Sequence, residues 1–244
     1  MSAFLVVSIV AEAAGPACTA TSGPDTLPLV ELYTSEGCDS CPPADRWLAA
    51  TFPARDPSAS VLAFHVDYWD RLGWKDRFAS ADYTARQYAS MRARGATFVY
   101  TPQVLVQGRD VDAGKRTSAI ASARLRPARA SIALEAEGTD GRVALKASVP
   151  AKAQRADVVA WVAYTDSGLV SNVGAGENRG ATLRHDHVVR LLFGPYPVGE
   201  SGSTIAQLTI TPPRERGRDP ALVAFVEDRR TGDVLQSLTL RCGP

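Results

Sequence analysis

At Pro127 the hydrophobic period of this chain changes from 3.6 to 2, and that switch limits the folds open to it. Before it, short apolar strands alternate with segments of helical spacing. Leu27 to Tyr33 reads as a strand ending in the polar turn Thr34-Ser35-Glu36-Gly37, and Ala44 to Phe52 carries Trp47, Leu48 and Phe52 on one helical face. A second strand, Ser60 to Val66, leads into an aromatic-rich loop, Asp67 to Phe78. Ala81 to Arg94 reads as a helix with Gly95 as its C-cap. Thr101-Pro102 opens the strand Gln103 to Gln107, Gly108-Arg109 turns into Asp110 to Asp112, and Lys115 to Arg126 is a last helix, stopped by Pro127. After Pro127 the residues alternate. Ser131 to Ala136 and Arg142 to Ala147 flank the hairpin turn Gly138-Thr139-Asp140-Gly141, and further strands fall at 157–165, 182–192, 204–211, 221–227 and 234–241. The expectation is an α/β domain over 25–127 followed by an all-β antiparallel sandwich domain over 128–244.

Charge narrows the partners. Lysine and arginine total 27 against 26 acidic residues, so no uniform field attracts nucleic acid or an anionic membrane. No stretch approaches the roughly 18 consecutive apolar residues of a membrane span. The apolar run Ala3 to Val10, followed by small residues, reads as a signal peptide over 1–17, with Ala11-Glu12-Ala13 as one cleavage site. The expected location is therefore secreted or periplasmic. The four cysteines suit such an oxidising compartment.

Those cysteines are of two kinds. Cys38 and Cys41 form a C-x-x-C between the first strand and the first helix, where free N–H groups lower a thiol's pKa. Cys18 and Cys242 sit near opposite ends. A bridge between them would close a loop of more than 220 residues, worth about 5 kcal/mol in the chain-entropy model. The competing reading leaves Cys18 in the leader or as a lipid-modified first residue. Pro42 and Pro43 fit only a first helical turn, so the helix should begin near Ser40 or Cys41 with Cys38 just ahead of it as the more exposed sulfur. Asp39 between the cysteines opposes thiolate formation and points to a reductant or isomerase rather than a strong oxidant.

This order of elements, with the cysteine pair where it falls, resembles the thioredoxin fold. The resemblance implies Cys38 as the attacking thiol, Cys41 as the resolving thiol, Pro102 as a cis proline shaping a substrate groove, and Glu31 as the buried carboxylate serving the resolving thiol. Thr101 and His65 would sit at that groove, and the aromatic loop with Tyr68, Trp69, Trp74 and Phe78 would either line it as well or pack across the interface between the two domains. The stretches Leu32-Tyr33-Thr34-Ser35-Glu36-Gly37-Cys38-Asp39-Ser40-Cys41-Pro42-Pro43-Ala44-Asp45 and Phe64-His65-Val66-Asp67-Tyr68-Trp69-Asp70-Arg71-Leu72-Gly73-Trp74-Lys75-Asp76 resemble a family of secreted bacterial proteins, domain of unknown function 1223. The likeness continues through Glu177-Asn178-Arg179-Gly180 and Leu183-Arg184-His185-Asp186.

Two functions follow as expectations. The first is thiol–disulfide exchange on a protein thiol or disulfide substrate, with no resident cofactor and an electron donor the sequence does not name. The second is a non-enzymatic copper or zinc carrier, or a partner-binding module, using the same dithiol. His185 and His187, two apart on one expected strand, would then face the same side and add ligands.

Overall fold

The computed structural model describes residues 17–138, 141–150, 152, 157–199 and 204–242. The expected leader, apart from Ala17, lies outside them. The first strand, β1 (Ala17–Thr21), is followed by β2 (Leu29–Thr34), α1 (Pro42–Thr51) and β3 (Ser60–His65). A 3-10 helix over Asp67–Leu72 occupies the aromatic loop. Then come α2 (Ala81–Ala93), β4 (Gln103–Val106), β5 (Arg109–Asp110) and α3 (Arg116–Arg124). The second half holds β6 (Ser131–Glu137), β7 (Arg142–Ser148), β8 (Val158–Ser167), β9 (Leu169–Asn172) and β10 (Thr182–His185). It closes with β11 (Val188–Pro197), β12 (Thr204–Thr209), β13 (Arg218–Asp228) and β14 (Asp233–Leu240). Among the described residues, no helix is long and apolar enough to cross a membrane.

The result is a mixed α/β protein built on one central mixed sheet and a separate smaller antiparallel one. The central sheet has eight strands in the order β14-β13-β8-β11-β3-β2-β4-β5, and the smaller has four, β1-β6-β7-β12. β2 runs parallel to β3 and antiparallel to β4. At the middle of the sheet β11 runs parallel to β3, with Val188 opposite Ala63, so the sheet crosses from the first half of the chain into the second without an edge. The separate all-β sandwich expected of the second half is corrected. The β6–β7 sheet packs on β8, β13 and β14 through Ile132, Leu134, Leu145, Tyr164, Leu222 and Leu238, yet those latter strands belong to the same sheet as β2 and β3.

Alternation along each strand sorts side chains onto the two faces. On β2, Leu29 and Tyr33 join Phe64, Phe225 and α2's Tyr83 in one core, whereas Val30 and Leu32 face Ala44 and Leu48 of α1 and Ile120 of α3 in another. Each fully buried Leu or Phe contributes about 1.5–3 kcal/mol. α1 and the cysteine turn therefore belong to the Val30/Leu32 face. Two elements had no signal in the alternation: β1, which pairs with β6, and β9. The strand expected over 182–192 is broken at Asp186 and His187. His187 adopts the left-handed region (φ 57°), and the Asp186 carboxylate accepts the Gly168 N–H at 2.8 Å.

Candidate functional site

Cys38 and Cys41 are bridged, with Cα atoms 5.4 Å apart, at the N-terminus of α1. Cys41 is the N-cap, and Pro42 and Pro43 occupy the first helical positions, where a missing N–H leaves no hydrogen bond unmade. Cys38 Sγ lies 3.3 Å from Ser40 Oγ. The expectation of a more exposed Cys38 is corrected: neither cysteine has any accessible surface.

Two structures enclose the pair. On one side, Trp69 packs against Gly37, whose added Cβ would meet the Trp69 Cβ at 3.2 Å, and the same indole donates to Thr101 Oγ1 at 2.8 Å. Trp69 thus joins the cysteine turn to the loop carrying the Thr101–Pro102 peptide, which is cis. The Tyr68 hydroxyl donates to Gln87 Oε1 at 3.3 Å and also interacts with the Thr101 side chain. On the other side lies the tip of the β9–β10 hairpin. The Asn178 side-chain amide donates to both Glu36 O (2.9 Å) and Cys38 O (2.8 Å), and Glu177 Oε2 accepts the Asp39 N–H at 3.1 Å.

Beneath the hairpin is a buried polar cluster. His65 Nδ1 lies 2.6 Å from Asp76 Oδ2, both side chains essentially inaccessible. Burial alone would lower the His65 pKa, but the Asp76 carboxylate outweighs it and holds the imidazole above its ordinary value. Burial likewise raises Asp76, while His65 and the Glu36 and Phe78 N–H groups hold it below its ordinary value. His185 Nε2 is 3.3 Å from Glu36 Oε1, and Glu36 Oε2 accepts from the Trp74 indole at 2.7 Å. For Glu36, burial again works upward, and the close approach of His185 leads the contacts that carry the carboxyl below its usual range. The His65 and His185 rings meet edge to face, 4.9 Å apart, with Phe78 against both.

Glu31 lies elsewhere. It is on the Leu29/Tyr33 face, away from α1, and its Oε1 is 2.8 Å from Arg86 Nη2 and 3.4 Å from the Tyr33 hydroxyl. Arg86 also pairs with Glu227 at 3.0 Å. The carboxyl on the cysteine side is Asp45, which accepts from Thr34 Oγ1 at 3.2 Å. Its place four residues after Cys41 puts it on the same helical face as that cysteine. Burial leads the causes that raise its pKa. The i, i+4 relation to Cys41 was readable in the sequence, as was the parity that turns Glu31 away from Val30 and Leu32. His185 and His187 are not one site: His185 joins His65, while His187 Nε2 is 2.7 Å from Phe52 O. Among the described residues, no group of three or more His, Cys, Asp or Glu side chains is arranged to hold a metal ion. Cys18 and Cys242 are bridged, with Cα atoms 5.7 Å apart.

Fold and site together define a mixed α/β protein with an enclosed cysteine pair at a strand–helix junction. The chain belongs to the family described as "Protein of unknown function (DUF1223)", whose model matches residues 29–227. Among solved structures it is similar to protein AGR_C_4864 from Agrobacterium tumefaciens, at 23% identity and a TM-score of 0.63, covering 91% of this chain and 97% of that one. It is also similar to HBP35 of Porphyromonas gingivalis, at 13% identity and a TM-score of 0.63, covering 89% of this chain and 76% of that one. These likenesses concern the fold. No curated protein matches the chain.

Proposed function

We propose that the protein is an exported thiol–disulfide oxidoreductase with a thioredoxin-like core. The observation that carries this reading is the Cys38–Cys41 bridge at the N-terminus of α1. The strand order β3-β2-β4-β5, with β4 antiparallel and helices after β2, β3 and β5, supports the thioredoxin-like assignment. The Cys18–Cys242 bridge supports an oxidising compartment.

In this reading Cys38 is the attacking sulfur and Cys41 the resolving one. In the reduced state the positive end of the α1 dipole favours thiolate at the cysteine pair, weakly because Pro42 and Pro43 remove two first-turn N–H groups, and the neighbouring Asp39 charge tempers it further. A substrate disulfide is attacked by the Cys38 thiolate, one substrate sulfur leaves as a thiol, and Cys41 displaces the other to restore the bridge. Asp45, four residues after Cys41 on α1 and with its carboxyl raised, is assigned in this reading the proton exchange with the resolving thiol. Glu31, paired with Arg86 through Oε1, has a structural role in this reading.

The test is reduction of insulin by dithiothreitol. The wild-type chain should accelerate it and Cys38→Ser should not. Equal rates for the two proteins would refute the reading.

A further inference from the structure

The cysteine turn already has an occupant. The tip of the β9–β10 hairpin, residues 173–181, makes side-chain hydrogen bonds to three of its backbone groups: to Glu36 O and Cys38 O through Asn178, and to the Asp39 N–H through Glu177. Backbone donors and acceptors beside a reactive disulfide are the groups an extended chain pairs with when it lies across such a site. Here they are filled from within the molecule, and both sulfurs are left without accessible surface.

The tip is built to stay in place. Gly180 N donates to Val173 O at 2.8 Å and Val173 N to Ala181 O at 2.9 Å. Gly174 lies against the Trp74 ring, where an added Cβ would come within 3.1 Å, and Gly176, at φ +75°, fits over the Trp74 Cβ. Trp74 is itself tied to Glu36. The contacts to the cysteine turn nevertheless come from two side chains of one loop, Glu177 being exposed and Asn178 partly so, and no apolar core residue lies among them. The chain leading into Thr101–Pro102 exposes Phe98 (68%) and Tyr100 (40%).

We propose that the 173–181 tip is a resident stand-in for the substrate. The substrate class is then an extended polypeptide segment, which displaces the tip and takes over the hydrogen bonds to Glu36 O, Cys38 O and the Asp39 N–H. This names the partner for the exchange reading above and rests on it. A reduced cysteine in such a segment attacks one sulfur of the bridge. The S–S bond breaks, the second sulfur leaves as a thiolate that takes a proton from solvent, and a mixed disulfide joins the two chains.

The experiment measures how fast the full-length oxidised protein is opened by two reagents: dithiothreitol, and an unstructured glycine–serine peptide carrying one reduced cysteine. Asn178→Ala removes two hydrogen bonds holding the tip and should raise both rates by about thirtyfold. Glu177→Ala alters an exposed residue, which keeps the test sound if the first variant folds poorly, and should raise both several-fold. Unchanged rates in the folded variants overturn the proposal. A rise with dithiothreitol alone also overturns it, because the tip would then cover the bridge without standing in for a polypeptide. Insulin turnover is scored separately. Its absence, with both rates raised in the variants, would sink the catalytic reading and leave the displaced tip standing.

Discussion

Replacing Arg86 by methionine separates a structural Glu31 from one that serves the dithiol. The Arg86 side chain is 5% exposed and sits between Glu31 (1%) and Glu227 (11%). Its guanidinium also lies 4.6 Å from the Phe225 ring centroid and 5.4 Å from that of Trp161, and the Trp161 indole donates to Glu227 at 2.8 Å. Removing one partner of a buried pair costs about 3–5 kcal/mol. Here two carboxylates lose the same cation, and a cation–π contact of about 1 kcal/mol goes with it, partly offset by methionine packing. The expected loss near neutral pH is about 4–6 kcal/mol, comparable with the whole stability of many domains. Burial already raises Glu31 in the native chain, and without the Arg86 charge it must rise further. A carboxyl whose folded pKa is raised destabilises the fold above its unfolded value and ceases to do so as pH falls through the folded one. The deficit of Arg86→Met should therefore be largest near pH 7 and shrink toward about pH 4–5. Urea unfolding of both proteins across that range measures it, and adding Glu31→Gln and Glu227→Gln should restore most of the loss. A deficit below about 1 kcal/mol, or one independent of pH, would refute the reasoning. So would a Glu31→Gln single variant of native stability that has lost insulin turnover.

Two other expectations concern stability. Cys18→Ser with Cys242→Ser opens a bridge of sequence separation 224 and should cost up to about 5 kcal/mol in urea unfolding, whereas a change under about 1 kcal/mol would show that the bridge constrains little. The His65–Asp76 pair predicts a pH window. A raised histidine contributes stability that is complete below its ordinary 6.5 and is lost as pH rises through the folded value; a lowered aspartate contributes above its ordinary 3.8 and is lost as pH falls through its folded value. Asp76→Asn should therefore cost more at about pH 5 than at about pH 9, and equal costs in thermal melts at the two pH values would contradict a charged pair.

Local patterning carried much of the fold. The helices expected over 44–52, 81–94 and 115–126 are α1, α2 and α3 to within a few residues, because each shows its own period and is stopped by proline, glycine or a turn. What patterning could not show is pairing at long range. Nothing near Ala63 announces that it will lie beside Val188, and this single junction makes one sheet of the two halves. The site divides in the same way. The cysteine pair and its proline-led helix were legible, whereas Asn178 and Glu177 stood out only as part of a motif, since their partners lie about 140 residues away. Glu31 was placed by analogy when strand parity already put it on the wrong face.

Order of synthesis meets an obstacle in β1. This strand emerges before any other described element, yet its partner is β6, with Cys18 lying opposite Ala136, 118 residues further along. Its covalent partner, Cys242, comes after the last strand. A chain that folds as it is made can assemble β2 to α3 early, but the small sheet must wait for β6, and the bridge must wait for the end of the chain. Until then Cys18 is a free thiol beside a second, closely spaced pair, and the three can exchange partners. Correct pairing thus depends on the Cys38–Cys41 turn closing first, which its three-residue separation favours, leaving Cys18 to its distant match.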